Sequence, residues 1–155
     1  MPRRILVSLL AALLSAATVA GVALARGSAG DESQTVTIRA LELPTQTTFT
    51  DLNAKGASQG DTFAASNTLH MGGKAIGRED DWCTLLNAKR LRFECDITEF
   101  LHGGSVMAQG PFQVGTGGRL AIVGGTGRYR EARGQLTAVD LGQDRARLTY
   151  RISLH

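Results

Sequence analysis

Glu42 is the first candidate for chemistry in this sequence, because it continues an apolar stripe along one face of a strand-like segment. Val36, Ile38 and Ala40 precede it at a spacing of two residues. A carboxyl group on the inward face of a sheet is costly unless it is hydrogen-bonded, paired or protonated. Burial would raise its pKa, which suits a general acid or a partner for developing positive charge. The alternative is that Glu42 lies at a rim, in water, beside a loop that starts at Pro44.

Asn67 and Tyr150 are two further polar residues on apolar faces. Asn67 alternates with Phe63, Ala65 and Leu69. Its amide could hold a ligand oxygen or an ordered water, or it could be a core residue that bonds only to backbone. Tyr150 lies on the apolar face of the last segment, where it could donate its hydroxyl to a ligand or simply pack in the core.

The remaining acidic residues suggest no catalytic or metal-binding cluster. Glu79-Asp80-Asp81 could bind a cation weakly, but a solvated strand start is the favoured interpretation. Glu99 and Asp140 fall on inward-looking faces near strand ends, which predicts rim positions. Two cysteines and three scattered histidines make a poor metal site. We therefore predict no metal site.

The elements that must position these residues are β-strands. Strand-like runs with period-two alternation recur between glycine-containing turns, and no long helical pattern follows the amino-terminal segment. Eight such antiparallel strands can close into a barrel, which is filled by side chains or holds one small ligand. The sequence thus predicts an all-β, eight-stranded antiparallel barrel. The predicted strands cover residues 34–43, 60–71, 75–86, 90–101, 104–114, 118–124, 134–141 and 145–154.

Two local features fit this scheme. A turn centred on Lys89 would place Cys83 and Cys95 directly opposite each other across a hairpin, which predicts a structural disulfide. Gly124-Gly125-Thr126-Gly127 predicts a corner between two strands rather than a phosphate-binding loop, because no Gly-Lys-Ser/Thr follows it.

The amino-terminal segment predicts export. Arg3 and Arg4 precede an apolar stretch that ends in Ala23-Leu24-Ala25, as in a secretory signal peptide cleaved after Ala25. The alternative is an uncleaved membrane helix. We expect a signal peptide at 1–25, a flexible leader at 26–33, a barrel at 34–155 and a secreted protein without membrane contact after cleavage.

The charge of the predicted mature chain gives no indication of a nucleic-acid partner. The sequence holds 17 Lys plus Arg against 14 Asp plus Glu, and removal of Arg3 and Arg4 leaves 15 against 14, a net charge of +1. With no basic run either, no nucleic-acid partner is expected.

Several motifs together resemble the allene oxide cyclase barrel family, and one of them is similar to the related dirigent proteins. The resemblance runs in consistent order from about Val36 to Leu154. It implies an eight-stranded calycin-type barrel, often trimeric, whose lumen binds a small hydrophobic molecule and steers its reaction without a cofactor. The motifs that carry it are Gly60-Asp61-Thr62-Phe63, Asn67-Thr68-Leu69, Gly77, Gln109-Gly110-Pro111-Phe112, Leu120 to Gly127, and Ala132-Arg133-Gly134.

The resemblance also implies roles for single residues. Glu42 falls at the cyclases' pocket-bottom glutamate, and Asn67 at the asparagine that holds a water on the epoxide oxygen. Phe112 stands where the cyclases have a tyrosine, while Phe63 and Cys83 fall on the lumen wall. The sequence departs from the cyclases at Pro44, where they carry an Asn, and at Thr50-Asp51, where they carry Ser-Pro.

Three functions follow as hypotheses. The first is a cyclase or coupling protein for a small lipid or phenolic molecule, with Glu42 and Asn67 as catalytic candidates. In this first hypothesis, the side chains that shape the lumen are Phe63, Phe93, Phe112 and Tyr150. The second is a lipocalin-like carrier without chemistry, and the third is a filled barrel that serves only as an interaction module. A filled lumen would exclude the first two.

Overall fold

The predicted all-β barrel is confirmed. The structure is a computed structural model, and it describes residues 34–53 and 55–154, so the expected signal peptide and flexible leader lie outside the described residues. Eight antiparallel strands pair in chain order and close, since β1 pairs with both β2 and β8. The strands are β1 (Gln34–Thr50), β2 (Thr62–Met71), β3 (Lys74–Asn87), β4 (Arg92–Leu101), β5 (Gly104–Gln113), β6 (Gly117–Gly125), β7 (Arg133–Gly142) and β8 (Arg145–Leu154). No helix among the described residues is long and apolar enough to cross a membrane.

Strand β1 is longer than predicted. The sequence pattern predicts that it ends at residue 43, before Pro44, but the strand continues to Thr50 in pairing with β2. The register between the two strands shifts between Pro44 and Gln46, and such an irregularity lets a strand continue past a residue that has no N–H to donate. The extension carries Thr47 to the wall of the lumen.

The loop between β1 and β2 is held by a buried aspartate. Asp61 is fully buried, and its carboxylate accepts hydrogen bonds from the backbone N–H of Leu52 (2.9 Å) and the backbone N–H of Ser58 (2.6 Å). The Ser58 hydroxyl donates a third bond, of 3.0 Å. These bonds hold the pKa of Asp61 below its usual value, and the bond from Leu52 has the largest effect. The Gly-Asp pair at 60–61 thus anchors one rim of the barrel.

The predicted disulfide is confirmed. Cys83 of β3 and Cys95 of β4 face each other in the antiparallel register, and their sulfur atoms are 2.06 Å apart. The hairpin turns between Asn87 and Arg92, as the symmetric spacing of the cysteines around Lys89 predicts.

The two ends of the barrel differ. One end is filled by apolar side chains that are at most 2% exposed and do not border the cavity described below: Leu69, Val106, Ile122 and Ile152. The predicted glycine corner lies at this end, as a short 3₁₀ turn at Gly127–Tyr129. Gly127 has a φ of +59°, and a Cβ there would collide with the Gly103 carbonyl oxygen, so the corner requires glycine. The other end is open.

Candidate functional site: an open lumen with an acidic base

The lumen holds a cavity of about 200 Å³ with a largely apolar wall. Phe63 and Phe93 lie on that wall with ring centroids 6.5 Å apart and planes inclined by 60°. Phe112 faces Phe93 across the β4–β5 ladder, and the Cys83–Cys95 disulfide also borders the cavity. Three of the four residues predicted to shape the lumen therefore do so.

The base of the cavity brings three carboxyl groups around one amide. Nδ2 of Asn67 lies 2.8 Å from Oε1 of Glu42, 3.0 Å from Oδ2 of Asp81 and 3.4 Å from Oε1 of Glu79. Oxygen atoms of the three acids lie within 4.8 Å of one another. The structure thus joins the two predicted catalytic residues, Glu42 on β1 and Asn67 on β2, to a pair on β3. We call Glu42, Asn67, Glu79 and Asp81 the acidic base, where "base" means the bottom of the cavity.

Glu79 and Asp81 lie inside the barrel, so the prediction that they belong to a solvated strand start is wrong. Glu79 is 1% exposed, and Asp81 is half-buried and lines the cavity. The signal that identifies them is parity: both lie on the same face of β3 as Cys83, whose disulfide partner belongs to the apolar face of β4. Only the middle acid, Asp80, points outward, where it pairs with Arg78 at 2.7 Å.

Glu99 and Tyr150 lie beneath the acidic base, and both correct a prediction. Glu99 is fully buried instead of at the rim, and neither of its carboxyl oxygens has a hydrogen-bond partner. Tyr150 is fully buried and does not border the cavity. Its hydroxyl donates to Oε2 of Glu79 at 3.3 Å, so it supports the base instead of contacting a ligand.

Burial dominates the electrostatics of these acids. It raises the pKa of Glu42 to about 8, with the negative charges of Asp81, Asp140 and Asp144 adding to the shift. Burial also raises the pKa of Glu99 to about 8 and that of Glu79 well above its usual value. The pKa of Asp81 rises less, to about 6, because hydrogen bonds from Glu79 and Asn67 partly offset burial.

The mouth of the lumen is formed partly by the β5–β6 and β7–β8 turns. Asp140, predicted at the rim, lies there and accepts hydrogen bonds from the backbone N–H of Gly115 (2.6 Å) and of Gly142 (2.7 Å). It therefore ties the two turns together. Gln143 and Asp144, at the tip of the second turn, have φ angles of 57° and 53° and also border the opening.

This arrangement can move a proton or stabilise positive charge. Near neutral pH, Asp81, with a pKa of about 6, ionises more readily than Glu42 or Glu99, whose pKa values of about 8 favour the protonated form. A carboxylate beside a protonated carboxyl group is the arrangement that divides acid and base roles between two like residues. The sequence predicts no metal site, whereas the structure brings three oxygen-bearing groups close enough to share a cation.

Comparison with known proteins identifies the fold. No family model and no curated protein matches the sequence. Among solved structures, a pyocyanin demethylase superposes with a TM-score of 0.69 at 25% identity, over 76% of this chain and 99% of that protein. A pterocarpan synthase dirigent protein gives 0.67 at 16% identity, over 80% and 90%. A Diels–Alderase from Streptomyces koyangensis gives 0.60 at 16% identity, over 82% and 72%.

The chain shares this barrel fold. The similar structures include dirigent proteins and Diels–Alder cyclases, which agrees with the resemblance found in the sequence at the level of the barrel fold. At these identities the likeness to the dirigent protein and the Diels–Alderase concerns the fold alone, and function has to come from the site.

Proposed function

We propose that this protein binds a compact, largely apolar molecule in its lumen and steers its cyclisation or rearrangement by proton transfer at the acidic base. The observation that carries the proposal is the contrast within one cavity, between an aromatic wall and a base of buried acids with unequal pKa values. An apolar pocket with a few convergent polar groups of perturbed pKa is the usual form of an active site.

The wall would act by restricting conformation. Phe63, Phe93 and Phe112 present rigid surfaces to a bound molecule, and the filled end of the barrel limits how deep it can enter. Holding a flexible substrate in one folded shape favours one ring closure over others. Exclusion of water by the wall protects a reactive intermediate from hydrolysis.

The acidic base would supply the chemistry. Protonated Glu42 gives its proton to a substrate oxygen, the adjacent substrate bond rearranges, and ionised Asp81 takes a proton from a neighbouring carbon. The substrate gains one proton and loses one, so the product is an isomer and no oxidant or reductant is needed. Transfer between the two acids through solvent or Glu79 restores the starting state.

The similar structures support chemistry on small molecules. Their names describe a demethylase, a pterocarpan synthase and a Diels–Alderase, each an activity toward a small molecule. The cavity argues against a barrel that is filled and serves only for interaction. Its volume of about 200 Å³ is also below the 300–1,000 Å³ typical of sites for drug-sized ligands, which favours a compact substrate over a long lipid chain.

The experiment that tests this proposal starts from the natural ligand. Protein isolated from its producing culture is denatured, and co-purifying small molecules are identified by mass spectrometry. The compound and its precursors are then incubated with wild-type protein and with Glu42→Gln, which keeps the size of the side chain but removes its proton donor. We expect the variant to bind as wild type does and to lose turnover by about 100-fold or more.

Glu94→Gln is the matched control, because Glu94 is exposed and lies outside the residues that line the cavity. It should retain wild-type turnover. Unchanged turnover in Glu42→Gln would refute the catalytic role. If no compound of any class binds in the lumen, the proposal as a whole fails.

A further inference from the structure

In the part of the chain that the structure describes, the lumen holds four carboxyl groups without a basic partner. Four acids point inward, namely Glu42, Glu79, Asp81 and Glu99, yet the ion pairs within the described ranges join only outer residues, Arg78 with Asp80 and Arg130 with Glu131. Arg145 is the only basic side chain among the described residues that line the cavity, and it is exposed at the mouth. Burial raises the pKa of all four acids, so protonation rather than an ion pair offsets most of their charge.

The centre of the acidic base is occupied by a nitrogen donor. Nδ2 of Asn67 lies within 3.4 Å of oxygens from three acids, but an amide has only two hydrogens to give them. Only 3% of the surface of Asn67 is exposed, and its own Oδ1 has no hydrogen-bond partner. Oδ1 of Asp81 is likewise buried without a partner, on a residue that borders the cavity. The acidic base therefore has two hydrogen-bond acceptors without donors, on residues that line the bottom of the cavity.

The wall above the base complements a flat cation. Aromatic faces attract a positive group through their quadrupole and also stack on flat apolar surfaces. Phe63, Phe93 and Phe112 supply such rings between the mouth and the acidic base. A neutral apolar ligand would satisfy the wall but leave the acceptors of the base unpaired.

We infer that the lumen selects a compact, flat, apolar molecule whose buried end is a positively charged nitrogen, held against Asp81 and Glu42. This inference rests on the proposed function only in that a small molecule enters the lumen. A divalent metal ion is the less favoured occupant, because Asn67 presents its nitrogen rather than its oxygen to the three acids, and the surrounding wall offers aromatic carbon instead of further oxygen ligands.

An isosteric pair of probes tests the inference. N-methylquinolinium and 1-methylnaphthalene have the same shape and differ in one positive charge. At pH 8, wild-type protein should bind the cation at least about tenfold more tightly than the neutral probe, as measured by calorimetry or intrinsic fluorescence. This comparison uses one folded protein, so it does not depend on the stability of any variant.

Asp81→Asn then locates the charge effect. The variant should lose most of the preference for the cation while retaining its affinity for the neutral probe. Asp96→Asn, a change of the same kind at an exposed outward position of β4, should keep the wild-type preference. A preference that survives in Asp81→Asn would overturn the assignment to the acidic base.

The remaining outcomes separate the two proposals. Equal binding of both probes would overturn the cation inference and leave lumen binding intact. If neither probe binds while Ca²⁺ or Mn²⁺ alone binds at micromolar concentration, and Asp81→Asn abolishes that binding, the acidic base is a metal site and the inference is wrong. If neither probe nor either metal ion binds, the inference is wrong and the proposed function loses its support for a compact flat substrate.

Discussion

Two regions of this barrel shift the pKa values of their carboxyl groups in opposite directions. In the β1–β2 loop, Asp61 accepts three hydrogen bonds and its pKa is lowered. In the lumen, Glu99 has no hydrogen-bond partner for either oxygen, and burial raises its pKa to about 8. The difference shows that both depth and donors decide the state of a carboxyl group, because Asp61 lies in a loop at the rim while Glu99 lies deep inside the barrel. Donors aimed at Asp61 make it a structural anion, while their scarcity in the lumen leaves groups that hold protons at neutral pH.

The comparison predicts an unusual dependence of stability on pH, which is the largest effect we expect. Glu42, Glu99 and Asp81 have folded-state pKa values of about 8, 8 and 6, above their ordinary values of 4.5, 4.5 and 3.8. Raised values mean that their contribution to stability is complete below the ordinary values and is lost as the pH rises through the folded ones. One carboxyl group whose pKa is raised from 4.5 to about 8 accounts by itself for roughly 4 kcal/mol over this range, so the free energy of unfolding should fall by at least about 4 kcal/mol between pH 5 and pH 9.

Asp61 limits this trend on the acid side. Its lowered pKa gives stability that is present above its ordinary value of 3.8 and is lost as the pH falls through the folded value. Urea unfolding over the pH range should show a maximum near pH 5. A curve that is flat from pH 5 to pH 9 would contradict the protonated state of the lumen acids.

Removing the anchor of the loop should produce the next largest effect. Asp61→Ala leaves the backbone N–H groups of Leu52 and Ser58 without their acceptor, so we expect the melting temperature to fall by on the order of 10 °C. Asp51→Ala is the control in the same loop. Asp51 is exposed and accepts a single bond, from the N–H of Gly56, so its loss should cost much less. Equal effects of the two substitutions would show that the three bonds to Asp61 contribute little.

Substitution of a lumen acid should have the opposite sign and a smaller size. Glu99→Gln removes a group that must stay protonated or be buried as a charge, which alone would stabilise the protein by roughly 4 kcal/mol at pH 8. The buried Gln amide finds no hydrogen-bond partner and offsets part of this gain, so we expect the variant to be more stable than wild type by about 1–2 kcal/mol at pH 8. At pH 4.5 the gain should vanish. Glu94→Gln, on the outer face of the same strand, should change little at either pH. A Glu99→Gln variant that is less stable at both pH values would refute the interpretation.

The fold followed from the sequence because period-two alternation is a local signal. Strand positions, the Cys83–Cys95 pairing and the inward direction of Glu42 and Asn67 all depend on parity along a strand. The two β3 acids were missed because a run of three charges suggested solvent. Parity with Cys83 would have placed Glu79 and Asp81 inside.

Depth along the barrel axis could not be obtained from alternation. Tyr150 was predicted inward and is inward, but it lies below the cavity instead of lining it. Glu99 was placed at the rim because it is near a strand end, yet it is fully buried. The depth of each position depends on strand tilt and on the stagger between neighbours, which closure of the whole barrel sets. The anchoring role of Asp61 could not be predicted either, because it depends on the path of the loop that brings the N–H groups of Leu52 and Ser58 to its carboxylate.

The most direct test of the account is a carboxyl ¹³C NMR titration of the folded protein, with side chains assigned by single substitutions. We predict midpoints near 8 for Glu42 and near 6 for Asp81, and a midpoint below 3.8 for Asp61. That result would establish a proton-holding lumen beside a structural anion. If Glu42 and Asp81 instead titrate near 4, as Asp and Glu do in water, the lumen acids are ionised at neutral pH and the proposed division of acid and base roles is wrong.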